Sequence, residues 1–373
     1  GREVDVWHTE DPLINPNQKQ VWNRLQGRRY FGVYHLSRDE AVQLGDSLVQ
    51  LQGVPDNPRW AVATSDVGYL KERTWTGGAE DLFLVDIRSG DRTLVAEGLQ
   101  GGGSAASSWI GMSGPSVSQS PDGRFVVWFQ ADQWHLFDAE TGRTRTLTES
   151  LDVPFYDPDH DYPDARGGHG VGGWLSGDEA LLIHDKYDVW KFPTETGEPV
   201  NLTRGEGRRR GLILRVMEVD PEEEALDAAG PVHLASFDEG DKSFGFFRTH
   251  TERGGLEPLL DAEKRFRFLA KAEEAERVLF TREDYDEFPD LWVGDMEFGG
   301  ARKVSEVNPG LFDRFAWGTS ELVEWTSDDG VPLQGVIIKP GNYEEGRRYP
   351  VLTYFYRFFS QRLHEFNEPV INH

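Results

Sequence analysis

A repeated pattern of two short strands joined by a polar turn constrains the fold of this chain more than any other feature. Each copy has apolar residues at alternating positions, then a turn that usually contains glycine, then a second strand-like stretch. The clearest copies are residues 81–95, 134–147 and 189–202, and the weaker ones are residues 30–44, 246–260 and 291–304. The turns fall near residues 39, 90, 142, 197, 254 and 299, a spacing of 45 to 57 residues. Such alternation around a glycine-containing turn predicts an antiparallel hairpin in every copy.

Further strand-like runs between the hairpins raise the number of strands per repeat to about four. They are residues 60–64, 125–129, 180–184 and 277–281, and a Ser-Pro-Asp-Gly turn at residues 120–123 precedes the second of them. Four strands in about 50 residues, repeated six times, is the period of β-propeller blades. The sequence therefore predicts an all-β fold, a propeller with about six visible four-stranded blades. A β-sandwich with chance spacing is the alternative, whereas a solenoid has shorter repeats.

The repeat stops near residue 318, and a different pattern follows. Residues 321–327 and 332–340 predict two strands joined by a turn at residues 328–330, and residues 349–356 predict a buried strand. We therefore place the propeller at residues 1–318 and the first strands of an α/β domain at residues 319–373. About fifty residues are too few to build the core of such a domain, so we expect the chain to be incomplete at this end.

Charge and composition exclude several classes of protein. The chain has 39 Lys and Arg against 65 Asp and Glu, a net charge of −26, so it does not bind nucleic acid by neutralising phosphates. No run of 18 apolar residues predicts a membrane span. The absence of cysteine from the sequence excludes disulfides, a thiolate nucleophile and cysteine-ligated zinc.

The region after the repeats resembles a specific junction in the prolyl oligopeptidase (S9) family of serine peptidases. There, a β-propeller leads into an α/β-hydrolase domain through the patterns DG-x-x-L-x-G-x-x-x-x-P and YP-x-x-x-x-x-Y, which match residues 329–340 and 349–356 here. Upstream segments, among them residues 60–76, 118–124 and 185–191, are similar to the second half of such a propeller. The resemblance covers nearly the whole chain and implies a parent propeller of seven or eight blades that begins before residue 1.

The resemblance implies a serine-type oligopeptidase or aminopeptidase, similar to dipeptidyl peptidases, that hydrolyses short peptides. Family members carry the catalytic Ser, Asp and His after the point at which this chain ends. No G-x-S-x-G pattern occurs in the sequence, although the nucleophile of an α/β-hydrolase requires small flanking residues of this kind. We therefore assign no member of the triad and expect residues 1–373 alone to be inactive. The alternative is a non-catalytic propeller that acts as a binding or scaffold module.

The resemblance implies one functional residue in this chain, Tyr356. In several branches of the family, a tyrosine at the end of the YP-x-x-x-x-x-Y strand donates its hydroxyl to the oxyanion of the tetrahedral intermediate. The residues that follow, 357–360 (Arg-Phe-Phe-Ser), depart from the small, glycine-containing pattern that is commoner in the family. The alternative role of Tyr356 is that of an ordinary aromatic residue at the end of a strand.

The other clusters of polar residues are expected to have structural roles and no catalytic or metal-binding role. The loop at residues 157–164 has the Asp-x-Asp-x-Asp spacing of a calcium loop, but Tyr162 and Gly168 stand where an EF-hand requires Gly and Glu. His160 and His169 share no helix face that would pair them on a metal. We therefore predict an acidic loop, with no metal and no cofactor.

Residues 184–188 predict side-chain hydrogen bonds within a blade. Tryptophans are expected to pack between the sheets at positions 60, 128, 134, 174, 190 and 292.

The expected partners follow from the same resemblance. They are a peptide substrate and the hydrolase domain, the latter in the same parent chain or as a separate polypeptide. Nucleic acid and a membrane span are not expected, and a homo-oligomer is left open. Bacterial relatives often carry a signal peptide, so a periplasmic or secreted location is favoured over the cytoplasm.

Overall fold

The structure, a computed structural model, divides the chain into two compact units. It describes residues 4–53, 56–57, 59–100, 111–355 and 358–368. The first unit consists of Gly1–Ala105, Ser113–Leu181 and Phe192–Gly197, and the second of Ala106–Met112, Leu182–Lys191 and Glu198–His373. Within the described ranges, no helix is long and apolar enough to cross a membrane.

The first unit begins with a helix and a hairpin and contains two complete four-stranded antiparallel sheets, with strands hydrogen-bonded in chain order. The helix and hairpin are α1 (Asn15–Gln26), β1 (Gly32–His35) and β2 (Glu40–Gln43). The first sheet contains β3 (Gln50–Leu51), β4 (Trp60–Ser65), β5 (Ala79–Asp86) and β6 (Arg92–Gln100). The second contains β7 (Val117–Gln119), β8 (Phe125–Gln130), β9 (Gln133–Asp138) and β10 (Arg143–Thr146). A 3₁₀ turn at Val67–Tyr69 and the short helix α2 (Arg73–Thr76) connect β4 to β5.

A third sheet follows in the chain, and the second unit adds two more sheets and a terminal hairpin. The third sheet contains β11 (Val171–Trp174), β12 (Ala180–His184), β13 (Val189–Pro193) and β14 (Val200–Asn201), with a 3₁₀ turn at Ser176–Asp178. The fourth contains β15 (Leu212–Val216), β16 (Pro231–Asp238), β17 (Phe244–His250) and β18 (Glu257–Leu260). The fifth contains β19 (Arg265–Lys271), β20 (Val278–Asp284), β21 (Glu287–Gly294) and β22 (Arg302–Lys303). The remaining elements are α3 (Glu206–Arg210), α4 (Leu311–Arg314), β23 (Thr319–Thr326), β24 (Pro332–Lys339) and a 3₁₀ turn at Ser360–Arg362.

The predicted hairpin turns all occur in the structure at equivalent places. In each of the five four-stranded sheets, the predicted turn joins the third strand to the fourth, and in the first repeat it joins β1 to β2. Gly90 and Gly142 have left-handed φ angles of 78° and 66° in two of these turns. This backbone conformation strains residues that carry a Cβ atom, which explains why glycine marks the repeat in the sequence.

Apolar runs without alternation become inner strands that are covered on both faces. Residues 125–129 of β8 are all buried, as are all five residues of β12. In the first unit, Trp60 and Leu82 of the first sheet share one core with Trp128 and Phe137 of the second. The prediction that tryptophans pack between sheets is therefore confirmed for Trp60 and Trp128.

Gly123, in the Ser-Pro-Asp-Gly turn before β8, has both a left-handed φ of 81° and no room for a side chain. A Cβ atom there would lie 2.4 Å from the side chain of Asn57. Asn57 cannot move away freely, because it is buried and its side chain bonds the backbone N–H and C=O of Trp60 at 2.9 and 3.0 Å. We expect Gly123→Ala to lower the free energy of unfolding by about 2–4 kcal/mol, as measured by urea denaturation.

The matched control for that substitution is Gly142→Ala in the turn between β9 and β10. Gly142 also has a left-handed φ, of 66°, but nothing lies within 4 Å of its would-be Cβ atom. Only the conformational penalty applies there, so a loss of about 1 kcal/mol is expected. Equal losses for the two variants would show that the contact with Asn57 does not matter.

Candidate functional site

The predicted oxyanion donor, Tyr356, lies outside the residues that the structure describes. Its predicted role therefore stays a prediction, and the site is built here from the residues around it. On the side before Tyr356, residues 349–355 are described, and on the side after it, residues 358–368. Both stretches belong to the second unit.

The prediction of a buried strand at residues 349–356 is wrong for the described part of that stretch. Residues 350–355 have no strand conformation and are exposed. Val351, Leu352 and Phe355 are 87%, 95% and 85% accessible to solvent. An apolar run becomes an inner strand only when neighbouring strands pair with both its edges and other elements cover its faces. No strand in the described part of the chain pairs with it.

The two strands predicted just before this stretch are confirmed as the hairpin β23–β24. Thr319 pairs with Lys339 and Thr326 with Pro332, and the predicted turn contains Gly330 with a φ of 87°. The hairpin also exposes large apolar side chains. We use the name exposed junction residues for these side chains together with those of the preceding paragraph: Trp325, Ile337, Ile338, Val351, Leu352 and Phe355.

The chain after Tyr356 packs against the fifth sheet through aromatic rings. We call residues 359–367 the docking segment. Its Phe366 stacks on Trp317, with ring centroids 5.5 Å apart and planes at 10°. Phe366 also meets Phe288 of β21 edge to face at 5.2 Å, and Phe312 of α4 meets Trp317 in the same way at 4.7 Å. The docking segment is thereby attached to β21 and to the chain around α4.

A buried histidine of the docking segment, His364, joins two other elements. Its Nδ1 lies 3.0 Å from Oδ1 of Asp284 at the end of β20, and its Nε2 lies 3.0 Å from the backbone oxygen of Asp241 in the β16–β17 turn. The ammonium group of Lys264 bonds the other oxygen of Asp284 at 2.8 Å. His364 is 8% exposed. Both ring nitrogens are occupied, so this imidazole is not placed to accept a proton from a serine hydroxyl.

For both Asp284 and His364, burial and hydrogen bonding shift the pKa in opposite directions. Burial favours the uncharged carboxylic acid, but hydrogen bonds from His364 and Lys264 outweigh it and lower the pKa of Asp284 to about 2. Burial likewise favours the neutral imidazole, but the bond to Asp284 outweighs it and raises the pKa of His364. Both shifts favour the ion pair, in which Asp284 is ionised and His364 is protonated.

The hydrogen bonds predicted for residues 184–188 are confirmed. The Asp185 carboxylate accepts the backbone N–H groups of Tyr187 and Asp188 at 2.6 and 2.8 Å, and the indole N–H of Trp190 at 3.0 Å. The carboxylate of Asp188 accepts the Thr203 hydroxyl at 2.6 Å. These contacts give both aspartates a structural role. In the part of the chain that is described, no group of three or more His, Asp or Glu side chains is arranged to hold a metal ion.

The first unit contains a concave site between its two sheets. The cleft has a volume of about 470 Å³, and its lining includes Gln52 after β3, Glu80 of β5 and Val117 of β7. A smaller cavity of about 230 Å³ also includes Glu80 and adds Asp66 and Arg73. Both sites combine acidic and apolar side chains, with Glu80 in each of them, which suits a peptide or another small amphipathic ligand.

The contacts of His364 could not have been predicted from the sequence. Its two partners, Asp284 and Asp241, precede it by 80 and 123 residues, and no spacing pattern joins them. The only local signal is the pair His364-Glu365 after a short helical turn, which by itself is typical of an exposed polar segment.

The fold and these sites define a class of protein. Successive four-stranded antiparallel sheets, each about 50 residues long and hydrogen-bonded in chain order, are those of a β-propeller. No protein-family model matches the chain, and no curated protein matches it in sequence. Similarity to known proteins is therefore found by comparing the fold of this chain with solved structures.

Two bacterial peptidase structures are similar to this chain in fold. Porphyromonas gingivalis dipeptidyl peptidase 4 matches with a TM-score of 0.53 and 9% identity, over 86% of this chain and 49% of its own. A structure described as a dipeptidyl aminopeptidase IV from Bacteroides ovatus matches with a TM-score of 0.51 and 11% identity, over 86% and 52%. The chain thus spans about half the length of both.

At 9% and 11% identity, both matches show the propeller fold. The propeller prediction is therefore confirmed, as is the resemblance to the prolyl oligopeptidase family at the level of the fold. Five of the six repeats have four strands, and the first has two in the described residues. The domain boundary after residue 318 stays a prediction.

Proposed function

We propose that this chain is the propeller portion of a serine peptidase of the prolyl oligopeptidase family that hydrolyses short peptides, with its catalytic triad outside residues 1–373. The fold supports this proposal, since two of the structures that it matches are named as dipeptidyl peptidases. The catalytic domain would continue from β23 and β24.

The observation that carries the proposal is the set of exposed junction residues. An isolated two-stranded hairpin is marginally stable in water, and β23–β24 exposes Ile337 and Ile338 at 46% and 57%. The next stretch exposes Leu352 at 95%. Burying one such side chain contributes about 1.5–3 kcal/mol. The α/β-hydrolase domain is the occupant we propose for this surface, because the same residues carry the junction pattern of the family.

In the assembled enzyme, the role of Tyr356 would be to stabilise developing charge. A phenol O–H aimed at the oxyanion of a tetrahedral intermediate bonds more strongly in the transition state than in the substrate complex. Peptide hydrolysis would use a serine nucleophile with a histidine base, and neither is assigned in this chain. The propeller would restrict access to short peptides.

The test is peptide hydrolysis by the natural polypeptide that carries these residues, with residues 1–373 alone as the control. Chromogenic dipeptidyl and longer peptidyl substrates distinguish exopeptidase from endopeptidase action. We expect hydrolysis that a serine-directed phosphonate abolishes in the natural polypeptide, and none in the control. Phosphonate-sensitive hydrolysis by residues 1–373 would contradict the placement of the triad. No hydrolysis by the natural polypeptide would overturn the peptidase proposal.

A second candidate function is that of a binding module without catalysis. The cleft of about 470 Å³ in the first unit favours it, because a ligand could be held there without any hydrolase domain. Titration of residues 1–373 with a short peptide library, read out by calorimetry, distinguishes the two. Binding that Glu80→Gln weakens, in a protein without peptidase activity, would support this second function.

A further inference from the structure

The two hydrogen bonds of His364 require a proton on each ring nitrogen. Nδ1 faces the carboxylate of Asp284, and Nε2 faces the backbone carbonyl of Asp241, both at 3.0 Å. An ionised carboxylate and a carbonyl can only accept hydrogen bonds. The site therefore selects the imidazolium form, and a neutral imidazole can satisfy only one of the two acceptors.

We propose that His364 is a proton-controlled latch that holds the docking segment on the fourth and fifth sheets and releases it when the imidazole loses a proton. The latch connects three elements that are distant in sequence: the docking segment, the end of β20 and the β16–β17 turn. It would operate in this chain whether or not the peptidase proposal holds.

The ion pair between Lys264 and Asp284 decides which ring nitrogen of His364 loses its proton. This lysine stays bonded to Asp284 at 2.8 Å, so the carboxylate remains ionised and continues to require the Nδ1–H of His364. The proton is therefore lost from Nε2, which then turns a lone pair toward the carbonyl oxygen of Asp241. Two lone pairs at hydrogen-bonding distance repel, and the carbonyl of Asp241, a half-buried residue, loses its donor. The contact between the docking segment and the β16–β17 turn is therefore the one that is lost, and its loss makes release of the whole segment easier.

The other charged groups near His364 do not account for a pH dependence near neutral pH. Glu283 accepts the backbone N–H of Phe366 at 3.1 Å, and Arg265 pairs with Glu365 at 2.8 Å. The charged side chains on the elements packed against His364 include Asp238, Glu239, Asp241, Lys242, Lys264, Arg265, Arg282, Glu283, Asp284, Glu287, Arg362 and Glu365. Only His364 among these groups titrates near neutral pH in the ordinary case.

The pH dependence has a definite sign. Because the pKa of His364 is raised above 6.5, the stabilisation is complete below pH 6.5 and is lost as the pH rises through the pKa of the folded state. The pKa of Asp284, about 2, leaves that carboxylate charged throughout this range. The opening equilibrium of the docking segment should rise about tenfold for each unit by which the pKa of His364 exceeds that of free histidine.

The test is hydrogen exchange of residues 1–373 between pH 5.5 and 9, corrected for intrinsic exchange rates, with the pKa of His364 measured by NMR in the same samples. The reporters are the backbone amides of Leu363, Glu365 and Phe366, which are hydrogen-bonded in the closed state. We expect their protection to fall with the midpoint of the His364 titration, while the β23–β24 amides stay unchanged. A pKa at or below 6.5, or protection independent of pH, would overturn the proposal.

Three variants separate the latch from general destabilisation. His364→Gln should make the protection of the docking segment independent of pH, because glutamine does not titrate. Asp284→Asn should bring the pKa of His364 below that of free histidine, because burial remains when the counter-charge is gone. His233→Gln is the matched control, since His233 lies in the same unit and its Nε2 bonds the carbonyl of Met296 at 2.9 Å. Protection of the docking segment in the His233→Gln variant should still depend on pH. If that pH dependence were lost in this variant, the effect would belong to the whole second unit and not to His364.

Discussion

Replacing Phe246 with alanine is expected to lower the free energy of unfolding by about 3–5 kcal/mol. Phe246, on β17, is 2% exposed. Its ring stacks on Phe298 with centroids 4.1 Å apart and meets Phe280 edge to face at 6.1 Å. The core that it fills joins the fourth sheet to the fifth. Removing the ring leaves a cavity that these rigid sheets cannot close, and urea unfolding followed by circular dichroism measures the loss.

The matched control for Phe246→Ala is the same change at Phe355. Phe355 is 85% exposed, so Phe355→Ala should change the unfolding free energy of residues 1–373 by no more than about 0.5 kcal/mol. Phe246→Leu, which fills part of the cavity, should lie between the two. Similar losses at Phe246 and Phe355 would contradict the assignment of the core.

The second large effect is expected on catalysis, and it rests on the proposed function. In the natural polypeptide, Tyr356→Phe should lower kcat about 100-fold or more with little change in KM, because removing one oxyanion donor costs about 3 kcal/mol in the transition state. Steady-state kinetics with a chromogenic peptide substrate measure this change.

Tyr354→Phe provides the control for the catalytic prediction. Tyr354 lies two residues earlier and is 76% exposed, and the substitution removes the same hydroxyl group. It should leave kcat within about twofold of the unmodified enzyme, since the hydroxyl of Tyr354 is not the proposed oxyanion donor. If Tyr356→Phe raised KM and left kcat unchanged, the hydroxyl would bind substrate and not the oxyanion.

Local patterns were sufficient to predict most of the architecture. The hairpin turns follow from glycine at left-handed positions such as Gly90 and Gly142, and the inner strands follow from unbroken apolar runs such as residues 125–129. Both signals act within a few residues, so they are present in the sequence before any tertiary contact forms. The hairpin β23–β24 was predictable for the same reason.

Tertiary context explains where prediction from sequence failed. The run at residues 349–356 has the composition of a buried strand, yet residues 350–355 are exposed, because an inner strand exists only where partners bond its edges. The sequence of an apolar run does not show whether neighbouring strands are present to pair with its edges. The site at His364 was missed for the related reason that its partners come from two other elements.

The sequence by itself therefore determined the repeat, the positions of the turns, the strongly acidic charge and the resemblance at the junction, because each depends on neighbouring residues or on composition. The tertiary structure alone decided which charges are buried and paired. His364 is an ordinary histidine in the sequence, and its protonated form is favoured only because folding brings Asp284 and the carbonyl of Asp241 to its two nitrogens. Contacts of this kind depend on three-dimensional distance, which residue spacing along a propeller chain does not encode.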